Sequence, residues 1–138
     1  MTIVPLESKQ IRLSSKIENI GEVEDLINVI FEDYELSPDY YGNMLVALNE
    51  AVNNAITHGN KLNEAKFVQI DFSHKGEEYY FTITDEGDGF DYSIIPDPTS
   101  PENIEKPDGR GIFLMSHLSD RVTFSNDGRT VEMVFKAY

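Results

Sequence analysis

Val68-Gln69-Ile70-Asp71-Phe72-Ser73-His74-Lys75-Gly76-Glu77-Glu78-Tyr79-Tyr80-Phe81-Thr82-Ile83 is the stretch that decides the fold. Val68, Ile70 and Phe72 alternate with Gln69 and Asp71, and beyond Lys75-Gly76 the residues Tyr79, Phe81 and Ile83 share one face. A period of two on either side of a glycine turn predicts a β-hairpin with one buried face. A second hairpin closes the chain: Val122 to Phe124, then Val131 to Phe135, turned by Asn126-Asp127-Gly128. Near the start, Ile11 and Leu13 alternate with Arg12 and Ser14, which predicts a short edge strand.

Helical spacing fills the intervals. From Ile17 to Tyr34 the apolar positions are Ile20, Val23, Ile27, Ile30, Phe31 and Tyr34. A second helix has Ser37 as its cap, Pro38 at its first position and Gly59 just past its end. Its stripe is Tyr41, Met44, Leu45, Leu48, Val52 and Ile56, and a short third helix runs from Ile112 through Leu118. This order predicts an α+β fold, a two-layer sandwich whose mixed, mostly antiparallel sheet is covered on one face by about three helices. The stretch 91–108 contains Pro96, Pro98, Pro101 and Pro107 and few apolar residues, and its length suits a functional lid. At 138 residues, the whole of 1–138 reads as a single domain.

Charge and composition narrow the function. Lys and Arg total 11 against 25 Asp and Glu, a net −14 that repels nucleic acid and anionic lipid. A bound nucleotide would therefore need a metal and local positive dipoles. The absence of cysteine excludes disulfides, thiolate metal sites and cysteine nucleophiles. No basic segment followed by a sustained apolar one opens the chain, and no apolar run approaches the roughly 20 residues of a membrane span. The expectation is a cytoplasmic protein that binds neither nucleic acid nor membrane.

Three separated stretches carry chemistry. In Leu48-Asn49-Glu50-Ala51-Val52-Asn53-Asn54, Glu50 and Asn54 are four residues apart and share a helix face. An amide oxygen completed by phosphate oxygens and waters suits Mg²⁺, and a carboxylate one turn away can take a proton during phosphoryl transfer. Alone, such a pair more often marks a solvated polar face. In Asp85-Glu86-Gly87-Asp88-Gly89, a carboxylate at a strand end can accept from an exocyclic amine such as adenine's, while the glycines let backbone pass close to a flat ring. A plain turn remains open there. A calcium loop does not, since glycines stand where oxygen ligands are needed. Gly109-Arg110-Gly111-Ile112 opens a helix whose free N–H groups suit phosphate, with Lys106 and Arg110 adding positive charge. The P-loop pattern and the G-x-S-x-G elbow are absent, and His74 and His117 stand without metal-spaced partners.

Taken in order and at this spacing, the three stretches resemble the Bergerat-type (GHKL) ATP-binding fold shared by DNA gyrase, histidine kinases and mismatch-repair ATPases. Glu50 to Asn54 matches its N box, Asp85 to Gly89 its D-x-G-x-G box, and Gly109 to Gly111 its second glycine box. Within that superfamily, Asn49 to Gly59 and Gly109 to Met115 resemble the stand-alone anti-sigma factor serine/threonine kinases of bacterial partner switching. The likeness runs from about Ile11 to Phe135. It implies Glu50 as general base and Asn54 as Mg²⁺ ligand. Asp85 would read adenine, with Gly87 and Gly89 shaping the pocket and Thr130 supporting the carboxylate. Lys106, Gly109, Arg110 and Gly111 would hold phosphates. The implied cofactors are ATP or ADP with Mg²⁺. The implied partners are an anti-anti-sigma (STAS-type) protein phosphorylated on serine, a sigma factor or other regulator, and a second copy in a homodimer. The sequence shows neither a preceding phosphoacceptor helix nor a following transducer domain, which separates it from complete histidine kinases and gyrase-like ATPases. Two other readings stand beside the kinase: a nucleotide-gated binding module without kinase activity, and an interaction domain that binds no nucleotide.

Overall fold

Alternation of apolar and polar residues becomes a sheet with one dry face. The computed structural model describes residues 8–89 and 107–137, with side chains from 9–89 and 111–137. In chain order its elements are β1 (Ser8–Ser14), α1 (Gly21–Asp33), α2 (Tyr41–Asn54), β2 (Phe67–Lys75), β3 (Glu78–Thr84), α3 (Pro107–Leu118), β4 (Arg121–Ser125) and β5 (Thr130–Lys136). The strands lie in the order β1-β2-β3-β5-β4, and every neighbouring pair is antiparallel. The mostly antiparallel expectation is thus met in its limiting form among the described residues. Two tight hairpins enforce it. Gly76 (φ +61) turns β2 into β3, and Asn126–Gly128 turn β4 into β5.

Val68, Ile70 and Phe72 of β2 oppose Leu13, Ile11 and Lys9 of β1 in register. On the other side Ile70 pairs with Ile83 and Phe72 with Phe81. These side chains and Met133 form the sheet's buried face, while Gln69, Asp71, Thr82 and Thr84 line the other. Val134 breaks the pattern. It is buried on the face away from the helices, level with Tyr80 on β3 and Arg121 on β4.

The helices cover the dry face, with α2 touching both α1 and α3. α1 buries Val23, Leu26, Ile27 and Ile30, and a 3₁₀ turn over Ile17–Ile20 precedes it. In α2 the buried residues are Met44, Ala47, Leu48, Ala51 and Val52. The three small or β-branched residues at 47, 51 and 52 let its backbone approach the sheet closely. Each large aliphatic side chain fully buried here contributes about 1.5–3 kcal/mol. The Ser37 hydroxyl accepts the Asp39 N–H at 3.2 Å, capping a 3₁₀ turn at Pro38–Tyr40 from which α2 continues. At its other end, α2 widens into a π-turn over Ala55–Gly59, and Gly59 lies inside that turn.

Candidate active site

The site grows from the end of α2, where π-turns commonly serve function. Widening the helix shifts its closing hydrogen bonds: Asn60 N–H reaches Ala55 O and Leu62 N–H reaches Ile56 O, both at 2.8 Å. Asn60 is buried, 1% exposed, and its amide is fully used. Nδ2 donates to Ser15 Oγ at 2.9 Å and to Phe67 O at 3.0 Å, while Oδ1 accepts Glu86 N–H at 2.8 Å. One side chain therefore ties together the ends of β1, α2 and β3 and the start of β2. Ser15 Oγ in turn donates to Lys66 O at 2.7 Å.

This tie delivers Asp85 to Gly59. A Cβ built on Gly59 would lie 2.5 Å from Asp85 Oδ2, and one built on Gly87 would lie 2.0 Å from the Gly59 carbonyl oxygen. Two bare α-carbons thus permit three segments to meet. Gly87 N–H donates to Asp85 Oδ1 at 2.8 Å, and Asp85 N–H donates to Arg129 O at 2.9 Å. Burial pushes the Asp85 carboxyl above its ordinary value, while the Gly87 N–H and the positive charges of Arg129 and Lys66 oppose the rise. A half-buried carboxylate with one oxygen engaged and the other beside an open α-carbon can accept a hydrogen bond from a ligand amine. Thr130 stands alongside: it pairs with Thr84 across the ladder, their hydroxyl oxygens 3.4 Å apart.

Asn54 lies one helical turn before Gly59 and faces the other flank. A Cβ on Gly111 would stand 2.7 Å from Asn54 Nδ2, so α3, just past its first turn, rests directly on that amide. Glu50, one turn earlier, is half-buried and has no hydrogen-bond or ion-pair partner among the described residues. Gly109 and Arg110 belong to the same first turn of α3, which begins at Pro107. Their side-chain surroundings, Lys106 and residues 91–106 of the expected lid lie outside the described residues.

The structure therefore gathers Asp85, Gly87, Gly89 and Thr130 at one end of the site, and Asn54 and Gly111 at the other, with Glu50 behind Asn54. Among the described residues no group of three His, Asp or Glu side chains is placed to hold a metal. A Mg²⁺ at Asn54 would draw its remaining ligands from phosphate and water, a donor set it commonly uses. Sequence reading missed Asn60 and Arg129, and took Gly59 only as a helix stop. Gly59-Asn60 directly after a polar helix end was the available signal for the first. For Arg129, 42 residues beyond the Gly87 it touches, no local signal existed.

Comparison with known proteins gives the family and the fold. Residues 13–135 match the histidine kinase-like ATPase domain family. The chain is 29% identical over 133 residues to the serine-protein kinase RsbW of Staphylococcus epidermidis, covering 91% of this chain and 84% of that protein. It is 26% identical over 133 residues to the serine-protein kinase RsbW of Oceanobacillus iheyensis, covering 92% and 84%. The crystal structure of the RsbU and RsbW domains of a Mycobacterium tuberculosis protein superposes with a TM-score of 0.68 at 12% identity. That match covers 95% of this chain and 32% of the other, and at such identity it speaks to the fold alone.

Proposed function

The chain belongs to the histidine kinase-like ATPase domain family, which implies nucleotide binding, and from that premise we propose that it is an ATP-dependent serine/threonine protein kinase of the anti-sigma factor type. The observation that carries the proposal is the meeting of Asp85, Gly87 and Gly59, a half-buried carboxylate presented between bare α-carbons. The relatives named serine-protein kinases support the reaction class.

In this reading Asp85 accepts the adenine amine, with Thr130 beside it and Gly87 and Gly89 giving the ring room. In the first turn of α3 the N–H of Gly109 has no helical acceptor and holds phosphate. Asn54 Oδ1 would hold the Mg²⁺ that accompanies ATP, and the γ-phosphoryl group would pass to the serine oxygen as its bond to ADP breaks. Glu50 takes the proton from the attacking serine hydroxyl at its carboxylate. The partner is a STAS-type anti-anti-sigma protein, with a sigma factor or similar regulator sequestered in its absence. The protein acts as a homodimer of single domains spanning 1–138, in the cytoplasm; of the stretch 91–108 expected as a lid, Pro107 and Asp108 belong to α3 and the rest lies outside the described residues.

The test is transfer from γ-labelled ATP to a candidate anti-anti-sigma partner by wild type and Glu50→Ala. We expect the variant to retain ADP affinity and to lose transfer by about 10²–10⁴-fold. Undiminished transfer would remove Glu50 from the mechanism. A wild type that binds Mg·ATP tightly and phosphorylates no such partner would point to a nucleotide-gated binding module.

A further inference from the structure

The β4–β5 turn does more than join two strands. Asn126, Asp127 and Gly128 all adopt left-handed backbone, with φ of +53, +58 and +85. Three such residues in succession point the Asp127 carbonyl at Gly89, where a Cβ would lie 2.1 Å from that oxygen. Gly89 itself has φ +79, so a side chain there would be strained as well as obstructed.

Arg129 follows the turn and folds back over the glycine loop. Its backbone carbonyl accepts Asp85 N–H at 2.9 Å. Its guanidinium donates from Nε to Gly87 O at 2.7 Å and from Nη2 to Asp88 O at 3.4 Å, while Nη1 lies 3.5 Å from Asp127 Oδ2. A single residue thus touches the backbone of Asp85, Gly87 and Asp88. From this we propose, resting on the nucleotide reading above, that Arg129 is a positioning residue: its guanidinium locks the Asp85–Gly89 loop in its base-reading conformation and sets adenine-over-guanine discrimination without touching the base.

The physical argument is conformational. Gly87 and Gly89 have the widest backbone freedom of any residue, and an untethered loop containing both would sample many orientations of the Gly87 peptide. Gly87 N–H occupies Asp85 Oδ1, so its drift would release that oxygen and let the carboxylate turn. Discrimination requires a fixed carboxylate. It attracts the amine that adenine carries at position 6 and repels the carbonyl oxygen that guanine carries there. The rigid fork of Arg can meet two successive carbonyls, which the single ammonium of Lys cannot do with the same geometry. The Arg129 side chain is partly buried, with 32% of its surface exposed, and its Nε donates within a part-buried contact to Gly87 O.

The experiment is calorimetric titration of ADP and GDP into the full chain as wild type, Arg129→Ala, Arg129→Lys and Asp85→Asn, with backbone hydrogen exchange at residues 86–89. We expect Arg129→Ala to weaken ADP about tenfold, equivalent to about 1.4 kcal/mol, and to lower the ADP/GDP affinity ratio. Exchange at 86–89 should rise in the same variant. Arg129→Lys, which keeps the charge and guards against misfolding of the alanine variant, should also show a lowered ratio. A merely structural role would reduce folded fraction but leave that ratio unchanged. Either variant matching wild type in its ADP/GDP ratio overturns the proposal. If wild type fails to bind ADP, or Asp85→Asn binds it undiminished, the nucleotide reading itself falls and takes this proposal with it.

Discussion

Adding one methyl group at Gly87 should damage the site from inside. A Cβ there would stand 2.0 Å from the Gly59 carbonyl oxygen, against an ordinary van der Waals contact of 3.4–4 Å. Backbone must move by more than about 1 Å to relieve it, because the obstruction is main chain and no rotamer change removes it. Retreat is blocked on both sides. The Gly87 carbonyl is held by Arg129 Nε at 2.7 Å, and its N–H by Asp85 Oδ1 at 2.8 Å. Overpacking of this kind costs about 1–3 kcal/mol, which for a domain of this size lowers Tm by roughly 4–15 °C. A displacement near 1 Å at a positioned group costs on the order of 10²-fold. Gly87→Ala should therefore remain folded but bind ADP about 10²-fold more weakly by calorimetry, with the lower Tm seen in a nucleotide-free melt. A variant with wild-type Tm and ADP affinity would refute both the contact and the placement of the nucleotide against Asp85.

Three further outcomes are expected. Since burial raises the Asp85 carboxyl above the ordinary 3.8, ADP affinity should be complete above that raised value and decline as pH falls through it, while Asp85→Asn stays flat over about pH 4–7. By the same shift, this group favours the folded state most strongly below the unfolded value and loses that contribution as pH rises through the folded one. Gly111→Ala places a Cβ 2.7 Å from Asn54 Nδ2, so the Mg²⁺-dependent increment in ADP affinity should vanish while metal-free binding persists; an intact increment would detach Asn54 from the metal. Leu48→Ala, at a side chain with 0% exposure, should lose about 2–5 kcal/mol in chemical denaturation, and a loss under 1 kcal/mol would deny α2 its place in the core.

Much of this architecture was legible because it is local. Alternation at Val68–Phe72 and Tyr79–Ile83 gave two strands in their correct register to the core, and Ser37-Pro38 marked the start of the second helical region. Leu26 lies outside the stripe of the first helix yet is buried, because it stands three residues after Val23 and one before Ile27 on a face wide enough to include both. The π-turn at Ala55–Gly59 had no signature, because a glycine after a helical run reads equally as a stop. Asn60 and Arg129 act through partners 26 and 42 residues distant, at Glu86 and Gly87. Periodicity carries no information about such contacts. Motif spacing nominated the candidate site residues, whereas the groups that hold those residues still became visible only in three dimensions.

The amide of Asn60 also dictates where this chain can change length. Asn60 is fixed to three segments, and Lys66 is held by Ser15 through both the Ser15 N–H (3.2 Å) and hydroxyl. Between these anchors Lys61, Leu62, Asn63, Glu64 and Ala65 are all exposed, and Lys61 and Leu62 occupy left-handed backbone that suits neither residue. Extra residues inserted there give up local hydrogen bonds such as Lys66 N–H to Asn63 O and close a slightly longer loop, at about 0.6 kcal/mol per doubling. One inserted before Asn60 would instead slide the Asp85 carboxylate out of line with the helix beneath it. Variation in loop length among such domains should therefore accumulate on the far side of a single buried asparagine.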